Sequence, residues 1–238
     1  MISFPDNVRL ISTFRQIAGG RSKDGFDNFN LAHHVNDVES SVISNRSLLR
    51  SHFELPSKPK WLNQTHSNKC IDADEVESSF NADASYSKIK GTVCAVLTAD
   101  CLPVFISNKE GTAVGIAHAG WRGLIDGVID SLVSSFDCKG GNLVAHLGPA
   151  ISQQSFEVGE EVKSQYLAKD PNFEHSFDYE NGQHYLDLYH AATLILNHHG
   201  IDSVSGGGQC TFRDSNQYFS YRRDGYNSGR MAHLIWME

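Results

Sequence analysis

The sequence of 238 residues has no basic segment: 20 Lys and Arg stand against 28 Asp and Glu, for a formal net charge of -8. An acidic chain without a basic run has no electrostatic footprint for nucleic acid or an anionic membrane. It also has no run of about 18 apolar residues, the length that could cross a bilayer. We therefore expect a small molecule as partner, and neither nucleic acid nor a membrane.

Cysteine is scarce as well, and no two cysteines form a C-x-x-C pair. The five thiols are an odd number, and a chain of this length can bury a core without disulfides, so reduced thiols are expected. The opening segment, MISFPDNVRL, lacks the basic and apolar regions of a secretory signal. These features predict a cytoplasmic protein with a single domain, residues 1–238, that is a monomer or a weak homo-oligomer.

Nucleotide-binding glycine loops are absent too: the chain contains neither G-x-G-x-x-G nor a Walker motif. Apolar periodicity predicts helices at 38–53, 124–136, 156–167 and 185–200. Continuous apolar runs predict buried strands at 91–107, 111–118, 142–151 and 231–237, the first being GTVCAVLTADCLPVFIS. Because helices and strands mix without strict alternation, the expected fold is α+β with a mixed sheet.

Three side chains suited to metal binding stand at strand ends or in a polar loop. Cys101 follows AVLTAD, His118 follows AVGIA, and His66 lies within WLNQTHSN. One Cys and two His suit a borderline-soft ion such as zinc, and three protein ligands leave a fourth position for water or substrate. The residues are far apart in sequence, so residue types alone give moderate support for a metal site. Asp100, beside Cys101, raises the question of why an apolar segment carries a carboxylate next to a thiol.

Several longer motifs resemble those of the laccase-domain family, also called multicopper polyphenol oxidase-like proteins. They are WLNQTHSN, TADCLPVFI, AHAGWRGL, LGPAI with FEVGEEV, LDL, and FSYRRDGYNSGR. The resemblance implies a four-layer α/β/β/α sandwich similar to the catalytic domain of cytotoxic necrotising factors. It also implies a metal-dependent purine nucleoside phosphorylase for adenosine, inosine and S-methyl-5'-thioadenosine, with adenosine deaminase side activity. One early segment departs from the family pattern: FRQIAGG stands where Thr-Arg-x-Gly-Gly is usual.

By the same resemblance, the family's metal ligands correspond to His66, Cys101 and His118, which would hold one zinc or copper ion. Asp100 would either accept a proton in catalysis or orient a ligand histidine. The forked guanidinium groups best suited to phosphate are those of Arg46 and of the pair Arg222 and Arg223. His33 and Gln64 are candidate auxiliaries for substrate binding, whereas the arginine pair could instead form a surface ion pair with Asp224.

Three other functions remain open from the sequence. A copper-dependent polyphenol oxidase would need a multi-copper cluster rich in His-x-His pairs, and the chain has no such pair. A cysteine hydrolase would use Cys101 as nucleophile and His118 as base, without a role for His66. A zinc-stabilised interaction module would need a fourth ligand, and the sequence offers no convincing one.

The other thiols and imidazoles are interpreted as structural. Buried cysteines usually behave as small apolar residues, and lone histidines are usually surface or hydrogen-bonded groups. Trp121 is of a type more often found in a core, although the glycines around it slightly favour a pocket wall. The thiols interpreted as structural are Cys70, Cys94, Cys138 and Cys210, and the histidines are His52, His146, His175, His184, His190, His198, His199 and His233.

Overall fold

The computed structural model describes residues 4–75 and 80–238. The strands of this part of the chain are β1 (Val8–Ser12), β2 (Cys70–Asp72), β3 (Ala84–Ser87), β4 (Cys94–Thr98), β5 (Leu102–Asn108), β6 (Val114–Ala119), β7 (Leu143–Leu147), β8 (Glu157–Val158), β9 (Phe177–Glu180), β10 (Gln183–Leu186), β11 (Val204–Gly206) and β12 (Met231–Met237). Its α-helices are α1 (Glu39–His52), α2 (Trp121–Asp126), α3 (Val128–Val133), α4 (Glu160–Lys169), α5 (Leu188–His198) and α6 (Tyr221–Asp224). None of these helices is both long and apolar enough to span a bilayer.

The strands form two main sheets and a small one. The three-stranded sheet has the order β1-β12-β4 and is antiparallel throughout. The six-stranded sheet has the order β11-β7-β5-β6-β3-β2, with parallel pairs only at its two edges. The small sheet has the order β8-β10-β9. Parallel and antiparallel pairs in one sheet confirm the predicted α+β fold with a mixed sheet.

Three apolar layers hold the sheets and helices together. Helix α1 packs on the outer face of the three-stranded sheet, where Leu49 belongs to the same buried cluster as Leu97 and Trp236. A second cluster, which includes Phe105 and Ile235, fills the space between the two main sheets. Helices α2, α3 and α5 cover the outer face of the six-stranded sheet. The predicted α/β/β/α order is therefore present, while the likeness to cytotoxic necrotising factors stays a prediction.

Two predicted elements were wrong in the same way, because each is interrupted. The strand predicted at 91–107 is β4 and β5, which lie in different sheets, and Asp100 between them has a φ of 91°. The helix predicted at 124–136 is α2 and α3, separated at Gly127 with a φ of 96°. A continuous apolar run shows burial on both sides, but it does not show that the chain changes layers.

The other predicted elements are present: the strand at 231–237 is β12 with its predicted ends, and the strands at 111–118 and 142–151 are β6 and β7 with shifted ends. The helix predicted at 38–53 is α1, and the helix predicted at 156–167 begins only after β8 as α4. The helix predicted at 185–200 is α5, which ends just before Gly200, a residue with a φ of 74°. Positive φ at a glycine just beyond a helix is the usual way in which helices stop.

Candidate metal centre and cleft

The break between β4 and β5 places Cys101 at the end of the six-stranded sheet. Asp100 adopts positive φ, and Cys101 directly precedes β5. His118 lies on the neighbouring antiparallel strand β6, where it pairs with Pro103. His66 comes from the loop before β2 and also has positive φ, at 60°. Adjacent strands and one constrained loop thus bring together three residues that are remote in sequence.

The donor atoms of His66, Cys101 and His118 all lie within 4.8 Å of one another. The Cys101 Sγ is 3.9 Å from the His66 Nε2, and the two imidazole ring centroids are 4.9 Å apart. Donors around one tetrahedral zinc ion are about 3.5 Å apart, given bonds of about 2.0 Å to nitrogen and about 2.3 Å to sulfur. The three predicted ligands therefore form a site that could hold a metal ion with little movement.

The three ligand candidates differ in exposure, and this leaves one side of the group open. His118 is buried, Cys101 is half-buried and His66 is exposed. Gly120 lies against the group: a Cβ added there would be 3.0 Å from both the Cys101 Sγ and the His66 Cδ2. Gly120, the first glycine of the HAGWRG motif, therefore leaves space for the thiol and the imidazole that a larger residue would restrict.

A carboxylate that the sequence analysis missed, that of Asp83, connects the two histidines. It is fully buried and accepts hydrogen bonds from the backbone N–H groups of Thr65 (3.1 Å), His66 (3.0 Å) and Ser67 (2.6 Å). It also accepts from the Ser67 hydroxyl at 2.7 Å and from the His118 Nδ1 at 2.8 Å. The only signal in the sequence is an aspartate just before the short strand β3, whose sequence ASYS is mostly polar.

Opposing effects set the pKa values of the site. Burial alone would raise the pKa of the Cys101 thiol, but the charge of His118 and hydrogen bonds from both histidines lower it to about 6. Burial would lower the pKa of His118, but the Cys101 thiolate and Asp83 raise it to about 9. Burial opposes ionisation of Asp83, yet its hydrogen bonds hold the pKa at about 2. A thiolate is thus favoured at neutral pH, as metal ligation requires.

Asp100 contacts the opposite wall of the site. Its carboxylate accepts a hydrogen bond from the Thr211 hydroxyl and one from the Arg222 backbone N–H, both at 2.6 Å. These bonds attach the C-terminal segment, at the start of α6, to the turn that carries Cys101. The hydrogen bond to a histidine of the group, which the sequence analysis considered for Asp100, is made by Asp83.

A cleft opens beside His66 and Cys101. Its walls combine flat aromatic rings with cationic side chains. Arg122 stacks on Trp121 with its Cζ 4.1 Å from a ring centroid, and Arg222 lies over Phe156 at 5.1 Å. Trp121 therefore lines a pocket. The cleft residues are His66, Ala99, Asp100, Cys101, Trp121, Arg122, Ile151, Phe156, Leu188, Tyr221 and Arg222.

Two residues predicted to bind substrate are engaged in bonds within the protein. The Gln64 side chain forms two hydrogen bonds of 2.7 Å with the backbone of Leu97, which fasten the His66 loop to β4. The guanidinium of Arg223 donates to three backbone carbonyls and pairs with Asp224 at 2.8 Å. This geometry favours a structural role for both side chains.

Arg46 and His33 lie on the α1 side of the molecule. The Arg46 Nε donates to the Leu31 carbonyl at 2.8 Å, and its guanidinium lies 4.3 Å from a Trp61 ring centroid. Burial lowers the pKa of Arg46 to about 10. His33 is exposed, and the pKa of its imidazole is lowered first by partial burial and then by the charge of Arg46.

Sequence reasoning also missed His34 and Arg230. The pKa of His34 is lowered by burial and by the positive charges of Arg230, Arg46 and His118. Burial lowers the pKa of Arg230, whereas the negative charges of Cys101 and Asp100 act in the opposite direction. These interactions place Arg230 near Cys101 and Asp100, and Arg46 and His118 near His34. In the sequence, two adjacent histidines and an arginine within Ser-Gly-Arg gave no indication of these interactions.

Comparisons with known proteins support the motif-based resemblance. A family model described as multi-copper polyphenol oxidoreductase laccase matches residues 11–238. A Haemophilus influenzae protein named purine nucleoside phosphorylase is 41% identical over 98% of this chain and 96% of its own. The Escherichia coli protein named purine nucleoside phosphorylase YfiH is 43% identical over 98% of this chain and 95% of its own.

Solved structures give the same result for the fold. The crystal structure of a Neisseria meningitidis protein of the DUF152 family aligns with a TM-score of 0.93 at 40% identity, covering 99% of this chain and 96% of that one. A Bacillus licheniformis protein named YfiH aligns with a TM-score of 0.89 at 26% identity, over 97% and 93% of the two chains. By motif, whole-length sequence and fold, the chain belongs to the laccase-like polyphenol oxidoreductase family, whose curated relatives include proteins named purine nucleoside phosphorylase.

Proposed function

We propose that this protein catalyses the phosphorolysis of purine nucleosides in the cleft beside His66, Cys101 and His118. The observation that carries the proposal is the whole-length similarity to relatives named purine nucleoside phosphorylase. The lining of the cleft agrees with it in chemistry, because small-molecule sites are concave, mostly apolar and lined by a few polar groups.

Phosphorolysis needs a bound anion, an oriented sugar and a protonated leaving group. A phosphate oxygen forms a bond to the ribose C1′, the bond from C1′ to the purine N9 breaks, and the base takes up a proton. Arg46, Arg230 and Arg222 are the proposed phosphate donors, since guanidinium groups bind phosphate with two parallel hydrogen bonds. Trp121 and Phe156 offer flat surfaces on which a purine can stack.

His66, Cys101 and His118 would hold one zinc ion, with copper as the alternative that their nitrogen and sulfur donors also suit. When bound, such an ion acts as a Lewis acid and stabilises negative charge near the reacting atoms. The protein's own residues prepare the site. Asp83 accepts a hydrogen bond from the His118 Nδ1–H, and the two imidazoles lower the pKa of the Cys101 thiol.

Adenosine, inosine and S-methyl-5'-thioadenosine are the proposed substrates, and adenosine deamination to inosine is the proposed side activity. Phenol oxidation ranks lower, because it needs several copper ions. The described residues contain one group of three His, Cys, Asp or Glu side chains close enough to hold a metal ion. That group also lacks the fourth protein ligand that a purely structural zinc site would use.

A cysteine hydrolase is the second candidate, and a specific arrangement favours it. Cys101, His118 and Asp83 follow one another as nucleophile, base and orienting carboxylate would. A His66 variant distinguishes the two functions. His66 takes no direct part in a cysteine hydrolase, whereas it is a ligand in the metal site. Metal analysis of His66→Ala distinguishes them: loss of a bound ion supports the metal site, and an enzyme without metal before and after supports the hydrolase.

The main test is incubation of the purified, zinc-loaded protein with adenosine or inosine, with and without phosphate, followed by chromatography of the products. The expected result is free base and ribose 1-phosphate that form only with phosphate, and loss of both in Cys101→Ala. Inosine formed from adenosine without phosphate would report the deaminase activity. No turnover of any purine nucleoside by the zinc-loaded protein would overturn the proposal.

A further inference from the structure

We propose that Asp83 is the positioning residue that prepares the metal site, fixing the orientation of His66 and the protonation pattern of His118 together. The inference rests on the metal site of the proposed function, and it concerns the residue that makes the ligand group converge. Asp83 would touch neither substrate nor ion. It acts through the two histidines that it contacts.

The first contribution of Asp83 is to the His66 loop. One carboxylate oxygen, Oδ2, accepts from the Thr65 N–H and from both the N–H and the hydroxyl of Ser67. The other oxygen, Oδ1, accepts from the His66 N–H. His66 has a positive φ of 60°, which is costly for a residue other than glycine. Hydrogen bonds at three successive residues hold the loop in this conformation.

The second contribution is to His118. The Asp83 Oδ1 is 2.8 Å from the His118 Nδ1, so Nδ1 keeps its proton and Nε2 is the ring nitrogen that would bind the ion in place of its own proton. A metal-bound histidine commonly donates its other N–H to a carboxylate, which fixes both the tautomer and the orientation of the ring. Because the same oxygen also binds the His66 N–H, the positions of both histidines depend on one group.

Asparagine cannot replace this carboxylate in either orientation of its amide. If the amide nitrogen takes the place of Oδ2, it faces the N–H donors of Thr65 and Ser67 and cannot accept from them. If it takes the place of Oδ1, it faces the His66 N–H and donates to the His118 Nδ1, which moves the ring proton to Nε2. The first orientation loosens the loop, and the second blocks metal ligation. Asp83→Asn therefore disturbs the site while keeping the size of the side chain.

The experiment compares wild type, Asp83→Asn and a matched control, Asp74→Asn, for zinc affinity by chelator competition. Asp74 accepts from the Ser87 hydroxyl at 2.7 Å and the Lys88 N–H at 2.9 Å, at the other end of β3. Zinc affinity is expected to fall about 10- to 100-fold in Asp83→Asn and to stay unchanged in Asp74→Asn. Thermal unfolding of the metal-free proteins checks that both variants fold.

Nitrogen NMR of the zinc-loaded wild type gives a readout that a general packing role would not produce. The His118 Nδ1 is expected to carry a proton in a strong hydrogen bond, and Nε2 to be the ligating nitrogen. Equal zinc affinity in folded Asp83→Asn, or ligation of zinc through Nδ1 in the wild type, would overturn this inference. Failure of the proposed function is a different result: a wild type that binds zinc but turns over no nucleoside leaves the role of Asp83 intact.

Discussion

Cys94 and Cys101 belong to one apolar segment, but their thiols have opposite properties. Cys94 faces the layer between the two main sheets, where it is fully buried, and burial raises its pKa to about 12. Cys101 lies at the edge of the cleft beside two imidazoles, and its pKa is lowered to about 6. The chain changes sheets between them, at Asp100.

The histidines on the neighbouring strands repeat this contrast. His233, on β12, is buried between hydroxyl groups, and burial lowers its pKa to about 3. His118, on β6, is also buried, but the Cys101 thiolate and Asp83 raise its pKa to about 9. Burial acts in the same direction on both members of each pair. The nearby charges therefore decide which thiol and which imidazole can be ionised.

The largest expected effect comes from removing one thiol or the other. Cys101→Ala deletes a metal ligand, so zinc content and phosphorolysis should both be lost, by several orders of magnitude for the rate. Cys94→Ala removes only a buried sulfur atom and should cost about 1 kcal/mol of unfolding free energy, similar to a methylene group. Metal analysis, product chromatography and urea unfolding measure the three quantities. Loss of zinc in folded Cys94→Ala would contradict the contrast.

A smaller effect is expected in the pH dependence of thiol modification. In the metal-free, folded protein, the Cys101 thiolate forms as pH rises through about 6, and it can react with iodoacetamide because the residue is half-buried. Cys94 should stay unmodified until the protein unfolds, since it is buried and its pKa is raised to about 12. Peptide mass spectrometry after timed labelling from pH 5 to 9 follows each thiol separately.

Zinc provides the control for this labelling, because a ligating thiolate is protected from alkylation. Cys101 in the zinc-loaded protein should react slowly at every pH, and a chelator should restore its reactivity. If Cys101 reacted with a midpoint at the ordinary thiol value of about 8.5, the imidazoles would not be stabilising the thiolate.

Asp100→Asn tests what the residue between the two thiols contributes. Both carboxylate oxygens are occupied, by the Thr211 hydroxyl and the Arg222 N–H. An asparagine can accept from the N–H and donate to the hydroxyl, so the α6 wall should shift only slightly. We expect a raised KM, a kcat within about 10-fold of wild type and unchanged zinc affinity. A fall in kcat of about 100-fold or more with unchanged KM would instead support proton transfer by Asp100.

The sequence predicted which three residues come together better than it predicted their setting. Cys101, His118 and His66 stand in long motifs, and the apolar runs beside two of them correctly indicated buried strands. The runs could not show that β4 and β5 belong to different sheets, because both faces of each strand are buried. An apolar segment can carry a carboxylate beside a thiol here because the chain turns at Asp100. The carboxylate binds two partners that are more than a hundred residues away in sequence.

Asp83 and Arg230 were missed for a related reason. Their importance comes from contacts with loops and strands that are distant in sequence, and no local pattern records such contacts. Asp83 has the residue type of an ordinary surface loop, yet its carboxylate is fully buried against the His66 loop and His118. Arg230 interacts with charges on Cys101 and Asp100. Only the three-dimensional arrangement shows which carboxylate faces the ligands and which faces the cleft wall.

His233 is not expected to affect the metal site, and its contribution is a pH dependence of stability. Its pKa is about 3 in the folded protein and about 6.5 in an unfolded chain. Between these values the unfolded state binds the additional proton, so the contribution to stability is complete above about pH 6.5 and is lost as pH falls towards 3. The slope is up to about 1.4 kcal/mol per pH unit.

His233→Gln cannot take up this proton, so the difference in unfolding free energy between wild type and variant should shrink as pH is lowered from 7.5 to 5. His118 has the opposite shift but is present in both proteins, and its contribution therefore cancels in the difference. A difference that stays constant over this range would mean that His233 is protonated in the fold, and the contrast between the layer of Cys94 and the cleft of Cys101 would then hold for the thiols alone.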